Sequence, residues 1–297
     1  INSIVDLIGD TPLIKLNGFN GLSSDKQIFI KAEWFNPGGS IKDRAALSMI
    51  KDGINKKKLN SKKIIMDSSS GNTAIAYAMI GSALGFKVEL VTPENINIER
   101  KKTLQAYGAK IIYSSPFEGS DGAILEARKM ASKFPDKYFM PDQYNNEANP
   151  LAHYSTTGPE IWDQVDGKIT HFISGIGTSG TAMGTSKFLK EKNPNIKTIG
   201  VQPDNSLHGL EGLKHIPSSI VPGIYKESNL DEIFWANTEE SYDVMEKLVK
   251  YEGMFVGHSG GAVVLAALEE TKKIEQAIVV CVIPDGGYRY LSGGVWW

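Results

Sequence analysis

Short apolar runs alternate with longer helical segments along most of this chain, and this alternation constrains the fold more than any other feature. Such runs, linked by helices, are typical of parallel strands whose sheet is covered by helices on both faces. Strands are predicted at 27–34, 63–66, 87–91, 110–113, 170–174, 198–202, 231–236 and 277–283. Helices are predicted at 42–57, 72–84, 98–107, 123–134, 180–189, 240–251 and 260–271. The predicted fold class is α/β with mostly parallel sheets.

The length of the chain and a local change in composition predict two domains. A chain of 297 residues is long enough for two hydrophobic cores, and its sequence becomes polar and loop-like at 145–150. The first α/β series ends there and a second begins. Between 203 and 230 no periodicity is visible, so a long, partly ordered loop of the kind that borders functional sites is predicted.

Charge and cysteine content exclude several functional classes. The 32 basic and 34 acidic side chains give a formal net charge of -2, which provides no electrostatic attraction for nucleic acid or an anionic membrane. Cys281, the only cysteine, lies in an apolar run and is predicted to be a buried core residue in a reducing compartment. Asp6 and Asp10 interrupt the N-terminal apolar stretch, which is unlike a signal peptide. A soluble, cytoplasmic protein without a membrane span is predicted.

The lysine loop, residues 36–44 (NPGGSIKDR), leads from the first strong strand into a helix. Its proline and glycines disfavour regular structure, and Ser40 is a good N-cap. Lys42 then falls in the first helical turn, where the helix dipole opposes a cation. That position suits a lysine that must lose its proton and act as a nucleophile. Taken alone, Lys42 is also compatible with an ordinary solvated lysine.

The phosphate loop, residues 174–181 (SGIGTSGT), joins a predicted strand to a helix. Glycines there allow successive backbone N–H groups to point at an anion, and hydroxyl groups flank them. Gly175, Gly177 and Gly180 also satisfy a dinucleotide-binding pattern, but the acid that this reading requires comes late, at Asp204. The hydroxyl groups of Thr178, Ser179 and Thr181 favour a compact phosphate monoester.

The serine loop, residues 67–73 (DSSSGNT), is another polar turn at a helix start. Its hydroxyl and N–H donors suit a substrate carboxylate, and the Asn72 amide can bind a phenolate-like oxygen. Helix capping would explain one of these residues but not five.

Glycine-rich turns follow several of the predicted strands, at 36–42, 68–73, 174–181, 257–261 and 284–287. Ligands of parallel sheets bind beyond the carboxyl ends of strands, so a single ligand shared by these turns is predicted. A nucleophilic lysine, a phosphate site and a carboxylate site together predict pyridoxal phosphate bound to Lys42, with amino-acid substrates. The five histidines show no metal-ligand spacing, and no metal site is predicted.

Several motifs together resemble the cysteine synthases (O-acetylserine sulfhydrylases), which are pyridoxal phosphate enzymes of fold type II, similar to the tryptophan synthase β subunit. They span nearly the whole chain and read GDTPL at 9–13, NPGGSIKDR at 36–44, SGNT at 70–73, TGPEIW at 157–162 and RYLS at 289–292. The phosphate loop and the segment IVPGIY at 220–225 are most similar to the cysteine synthase B branch.

This resemblance implies two three-layer αβα domains, the smaller and mobile one at 41–147 and the larger one made of 1–40 and 148–297. Lys42 would bind the cofactor as an internal aldimine and later move the substrate Cα proton, while Asn72 would bind the cofactor 3′-oxygen. The cofactor phosphate would contact Gly177, Thr178, Ser179, Gly180 and Thr181. The substrate carboxylate would contact Ser69, Ser70, Thr73 and Gln143. Homodimers are usual in the family.

The chain also departs from the family pattern. Ser69 stands where the family usually has threonine, and Ala74 where it has glycine. Many members carry a serine that contacts the pyridine nitrogen of the cofactor, and this serine position corresponds to Gly286. The neighbouring Asp285 is a candidate for that contact, and a carboxylate there would keep the nitrogen protonated.

The predicted reaction is β-replacement on a serine derivative, such as O-acetylserine, by sulfide, giving L-cysteine through an aminoacrylate. The alternative is the same chemistry with another donor or acceptor, namely cystathionine or lanthionine synthesis, or sulfide release from L-cysteine. A catalytically silent binding protein and a dinucleotide oxidoreductase are the alternatives from other classes.

Overall fold

The computed structural model describes residues 1–19 and 24–293. Within them the chain forms two compact units, one made of residues 1–8 and 36–149 and the other of the described residues 9–19, 24–35 and 150–293. Compared with the predicted domains, the smaller unit also contains 1–8, 36–40 and 148–149. The division into a mobile and a fixed domain stays a prediction, and 20–23 and 294–297 of the predicted larger domain lie outside the described residues.

The smaller unit is built on a four-stranded parallel sheet with strand order β5-β4-β3-β6. Its strands are β3 Ile64–Ser68, β4 Val88–Pro93, β5 Lys110–Ser114 and β6 Tyr138–Phe139. Its helices are α1 Lys42–Asn55, α2 Asn72–Leu84, α3 Ile98–Ala106 and α4 Gly119–Lys133. Successive strand residues face opposite sides, so Ile65 packs in one apolar cluster and Met66 in another. Both faces of this sheet are therefore buried.

The larger unit is built on a six-stranded sheet with strand order β1-β2-β10-β7-β8-β9. Its strands are β1 Leu13–Lys15, β2 Lys26–Ala32, β7 His171–Gly175, β8 Lys197–Pro203, β9 Glu232–Ala236 and β10 Ala277–Ile283. All neighbours are parallel except β1, which runs antiparallel to β2. Its helices are α6 Gly158–Gln164, α7 Gly180–Lys192, α8 Thr238–Glu252 and α9 His258–Lys272. The short helix α5 Ala148–Ala152 lies in the chain where the two units meet in sequence.

The predicted α/β class with mostly parallel sheets is confirmed, and several predicted bounds agree with the structure. Helix α2 ends before Gly85, whose φ of 76° is the left-handed conformation that favours glycine after a helix. Cys281 is fully buried in β10, and burial raises the pKa of its thiol. Two of the predicted strand-to-helix turns do not directly follow a strand. The turn at 36–42 follows the 3-10 turn Glu33–Phe35, and the turn at 257–261 follows the single bridge residue Val256.

Residues 204–231 form no helix or strand apart from the 3-10 turns Ile216–Ser218 and Glu227–Asn229, which confirms the predicted long loop. Within 1–19 and 24–293, no helix has the length and apolarity that crossing a membrane requires.

Candidate active site

Lys42 is the first residue of α1 and is half-buried. The lysine loop before it is held by Asp43, whose Oδ2 accepts a 2.6 Å hydrogen bond from the Gly38 N–H. Glycine is required at 38, because a Cβ there would lie 2.3 Å from Asp43 Oδ1. The Ser40 hydroxyl oxygen accepts from the Lys42 N–H at 3.3 Å, although Ile41 occupies the N-cap position. The sequence therefore places Lys42 in the first turn as predicted, on a loop fixed by its own aspartate.

The serine loop joins β3 to α2, and Asn72 is the first residue of that helix. The Ser69 hydroxyl oxygen accepts from the Gly71 and Ala74 N–H groups, both at 3.2 Å, so it caps the helix. Ser70 and Asn72 are half-buried. Helices α1 and α2 pack against each other, so the lysine and serine loops both lead into one helix pair of the smaller unit.

Gln143 and Thr73 lie side by side although 70 residues separate them. The Thr73 hydroxyl donates to Gln143 Oε1 at 2.8 Å, and Gln143 Nε2 donates to the Ser68 carbonyl at 3.1 Å. Asn149 Nδ2 donates to the Gln143 carbonyl at 2.8 Å. Both Thr73 and Gln143 are buried, so this network holds two of the predicted carboxylate-binding side chains in fixed positions at the start of α2.

Asp67, the first residue of the serine loop, carries a buried carboxyl group for which the sequence predicted no role. Its oxygens accept from the Ser68 N–H at 2.8 Å and from the Tyr77 hydroxyl at 2.9 Å. Burial raises its pKa from 3.8 to about 7, the hydrogen bonds from Ser68 and Tyr77 lower it, and the nearby Asp142 raises it. The only sequence signal for this group is an acid at the end of an otherwise apolar strand.

The raised pKa of Asp67 predicts a pH-dependent stability. In the unfolded chain this carboxyl group ionises near pH 3.8, whereas in the folded chain it holds its proton up to about pH 7. The stabilisation that Asp67 contributes is therefore complete below the pKa of the unfolded chain, and it is lost as the pH rises through the pKa of the folded chain. Between these values the free energy of unfolding falls by up to about 1.4 kcal/mol per pH unit. When urea unfolding is measured across this pH range, the Asp67→Asn variant should lack this fall in the free energy of unfolding.

Asp136→Asn is the matched control for this measurement, since Asp136 is exposed in the same unit. It should follow the wild-type pH profile. Parallel profiles for wild type and Asp67→Asn would show that Asp67 does not titrate in this range.

The phosphate loop lies between β7 and α7 in the larger unit. Ser179 is the N-cap of α7 and has a φ of 73°, which is uncommon for a residue other than glycine. Thr178 and Ser179 are buried. The Ser179 hydroxyl has no hydrogen-bond partner among the described residues. Thr181 Oγ1 lies 3.4 Å from His153 Nε2. A strained, buried turn with an unsatisfied hydroxyl at a helix N-terminus is suited to an anion.

The segment 212–214 packs directly against the phosphate loop, a contact that the sequence did not predict. A Cβ at Gly177 would lie 2.5 Å from the Gly212 carbonyl oxygen, so only glycine fits. The next residues are tied to the loop as well, because the Lys214 N–H donates to the Ile176 carbonyl at 2.8 Å. The long 204–231 loop thus shapes the phosphate loop.

Asp285 follows β10, at the sheet edge where the phosphate loop follows β7. In the register of β10 and its neighbour β7, Val282 pairs with Ser174, which starts the phosphate loop. The carboxyl ends of these adjacent parallel strands therefore lead to Asp285 and to the phosphate loop. Asp285 is buried, and the Tyr290 hydroxyl donates to its Oδ2. Among the described residues, no cluster of His, Cys, Asp or Glu could hold a metal ion.

Residues 4–285 match the family model of the pyridoxal-phosphate dependent enzymes. The chain belongs to this family. It is 49% identical to a cysteine synthase of Aquifex aeolicus over 98% of this chain and 90% of that protein. It is 39% identical to cysteine synthase B of Escherichia coli over 99% of this chain and 96% of the relative. The crystal structure of a cysteine synthase (OASS) from Entamoeba histolytica superimposes with a TM-score of 0.94 at 35% identity, covering 100% of this chain and 90% of that one.

These findings confirm the predicted family, fold type, cofactor and enzyme class. The protein is a pyridoxal phosphate enzyme that catalyses β-replacement. The larger unit fits the cofactor phosphate, since the unsatisfied Ser179 hydroxyl and the N-terminus of α7 are donors for a buried anion. The smaller unit carries Lys42, the serine loop and Gln143. The individual residue roles stay predictions.

Proposed function

We propose that this pyridoxal phosphate enzyme replaces the β-substituent of a serine derivative, most directly O-acetylserine, with sulfide and so forms L-cysteine. The pairing of Thr73 with Gln143 at the start of α2 carries the proposal, because it fixes two neutral polar side chains where the N-terminus of a helix favours a substrate carboxylate. Ser69 and Ser70 add hydroxyl groups to the same loop. The names of the relatives, cysteine synthase and cysteine synthase B, support L-cysteine as the product.

The cofactor supplies an electron sink that makes the substrate Cα proton acidic. The Lys42 amine binds the cofactor and moves the proton at the substrate Cα. The side-chain amide of Asn72 would donate a hydrogen bond to the 3′-oxygen of the cofactor. Ser69, Ser70, Thr73 and Gln143 orient the substrate through its carboxylate, which fixes the Cα–H bond for proton transfer.

In the larger unit, the N–H and hydroxyl groups of the phosphate loop bind the cofactor phosphate through Gly177, Thr178, Ser179, Gly180 and Thr181. Asp285 would hold the pyridine nitrogen of the cofactor, and the ring would supply the electron sink. The proposal also includes a mobile domain at 41–147. It includes a homodimer, which sedimentation velocity tests, and a cytoplasmic location, which cell fractionation tests.

The test compares three substrates with the holoenzyme: O-acetylserine plus sulfide, O-phosphoserine plus sulfide, and L-cysteine alone. We expect L-cysteine to form fastest from O-acetylserine. Sulfide release from L-cysteine, without L-cysteine formation from either serine derivative, would contradict the proposal and assign sulfide release instead.

Thr73→Val tests the carboxylate site in the same assay, because valine keeps the shape of threonine and removes the hydroxyl that donates to Gln143. Loss of one hydrogen bond of this kind should raise KM for the serine derivative about tenfold, with a smaller change in kcat. Thr103→Val is the control, since its hydroxyl donates to a backbone carbonyl within α3. Equal KM values for wild type and Thr73→Val would contradict the carboxylate assignment.

A further inference from the structure

Asp67 connects the two chain segments that carry the proposed carboxylate-binding side chains. Its Oδ1 accepts from the Ser68 N–H at 2.8 Å, at the start of the serine loop. Its Oδ2 accepts from the Gln143 N–H at 3.4 Å, so the same carboxyl group also contacts the backbone of the second segment. Asp67 is fully buried. A negative charge on this group therefore lies next to both segments, where solvent and salt screen it little.

The two segments are also joined to each other, so Asp67 belongs to one connected hydrogen-bond network. Gln143 Nε2 donates to the Ser68 carbonyl at 3.1 Å, and the Thr73 hydroxyl donates to Gln143 Oε1 at 2.8 Å. Asp67 contacts the N–H groups of Ser68 and Gln143, two members of this network. Ser68, Thr73 and Gln143 are buried as well. In a buried network of this kind, a change of charge at one member acts on all the others.

The titratable groups that face Asp67 are two tyrosines and a second acid. Tyr77 on α2 donates its hydroxyl to Asp67 Oδ2 at 2.9 Å, and burial raises the pKa of Tyr77, so it stays a neutral donor. Asp142 and Tyr144 face Asp67 from the segment after β6, and Arg128 on α4 lies 3.5 Å from Asp142. Burial raises the pKa of Asp67 to about 7, and the charge of Asp142 contributes in the same direction.

From this geometry we infer that Asp67 is a positioning residue of the carboxylate site, which binds the substrate carboxylate tightly when Asp67 is neutral and less tightly when Asp67 is ionised. The inference rests on the proposed function, since it takes Thr73, Gln143 and the serine loop as the binding site. Two negative charges in one buried network repel each other. A bound carboxylate therefore favours the neutral acid and, by linkage, the neutral acid favours the bound carboxylate.

The experiment measures the dissociation constant of L-serine from the holoenzyme through the change in visible absorbance of the cofactor. L-Serine has the carboxylate of O-acetylserine but no acetyl leaving group. Asp67→Asn is the reference variant, because asparagine keeps the size and the neutral charge of the protonated acid. Wild type and Asp67→Asn should bind L-serine equally near about pH 6, and wild type should bind about tenfold more weakly than Asp67→Asn near about pH 9.

Tyr77→Phe separates this effect from a merely structural role of Asp67. It removes the hydroxyl that stabilises the ionised form of Asp67, so the weakening of L-serine binding should begin at a higher pH than in wild type. Tyr107→Phe is the matched control, since Tyr107 is exposed in the same unit, and it should follow the wild-type profile. Thermal unfolding shows whether each variant is folded, and the comparison of Tyr77→Phe with Tyr107→Phe is decisive if Asp67→Asn is not.

L-Serinamide lacks the carboxylate charge, so its binding should have the same pH dependence in wild type and Asp67→Asn. The inference about Asp67 is overturned if L-serine gives one and the same profile in wild type, Asp67→Asn and Tyr77→Phe. It is also overturned if wild type weakens equally toward L-serine and L-serinamide relative to Asp67→Asn. If Thr73→Val binds L-serine as tightly as wild type does, the proposed carboxylate site itself fails, and with it the basis of this inference.

Discussion

Lys42→Ala should lose the visible absorbance of the bound cofactor and at least about a thousandfold of the β-replacement rate. The reason is that Lys42 is the proposed site of the covalent bond to the cofactor aldehyde and also the group that moves the Cα proton. Borohydride reduction followed by mass spectrometry measures the covalent bond directly. Wild-type protein should gain the mass of the cofactor on the peptide that contains Lys42, and Lys42→Ala should gain none.

Two further variants separate nucleophilicity from charge and from fold. Lys42→Arg keeps the positive charge, but guanidinium does not lose its proton, so no covalent bond should form. Lys51→Ala removes an exposed lysine from the same helix and should behave as wild type. A reduced adduct on a different lysine, or an unchanged rate in Lys42→Ala, would contradict the assignment.

Local signals in the sequence predicted the elements that carry the site. Helix α2 has the predicted bounds because polar serine-loop residues precede it and Gly85 ends it in a left-handed conformation. Strand β10 also has its predicted bounds, since its seven residues are all apolar. Pro37 and the glycines that follow it disfavour regular structure, which predicted that Lys42 lies in the first turn of α1. Each of these signals depends on a few adjacent residues, which a single sequence displays.

Contacts between distant residues could not be predicted in this way. Gln143 was assigned only through the family resemblance, and its partner Thr73 lies 70 residues away. The packing of Gly212 on Gly177 comes from a loop without periodicity, so no pattern indicated it. Val5 is buried in the core of the smaller unit, which explains why 1–8 belong to that unit and not to the predicted larger domain. Such contacts depend on the tertiary fold.

Gly177→Ala should weaken binding of pyridoxal phosphate to the apoenzyme by about 10- to 100-fold. The added Cβ would lie 2.5 Å from the Gly212 carbonyl oxygen, and a backbone atom cannot move aside as a flexible side chain can. Relieving this overlap costs about 1–3 kcal/mol and displaces the N–H groups of the phosphate loop. Titration of apoenzyme with pyridoxal phosphate, followed by the change in protein fluorescence, measures the loss.

Gly286→Ala is the control for this titration, because its Cβ would have ordinary contacts at 3.5 Å from the Phe255 carbonyl oxygen and 3.6 Å from Trp34 Cβ. It should bind the cofactor as tightly as wild type does. Thermal unfolding of both apoenzymes shows whether either variant loses its fold. A folded Gly177→Ala apoenzyme with wild-type affinity would mean that the phosphate is bound elsewhere, since the overlap with Gly212 necessarily disturbs the 174–181 backbone.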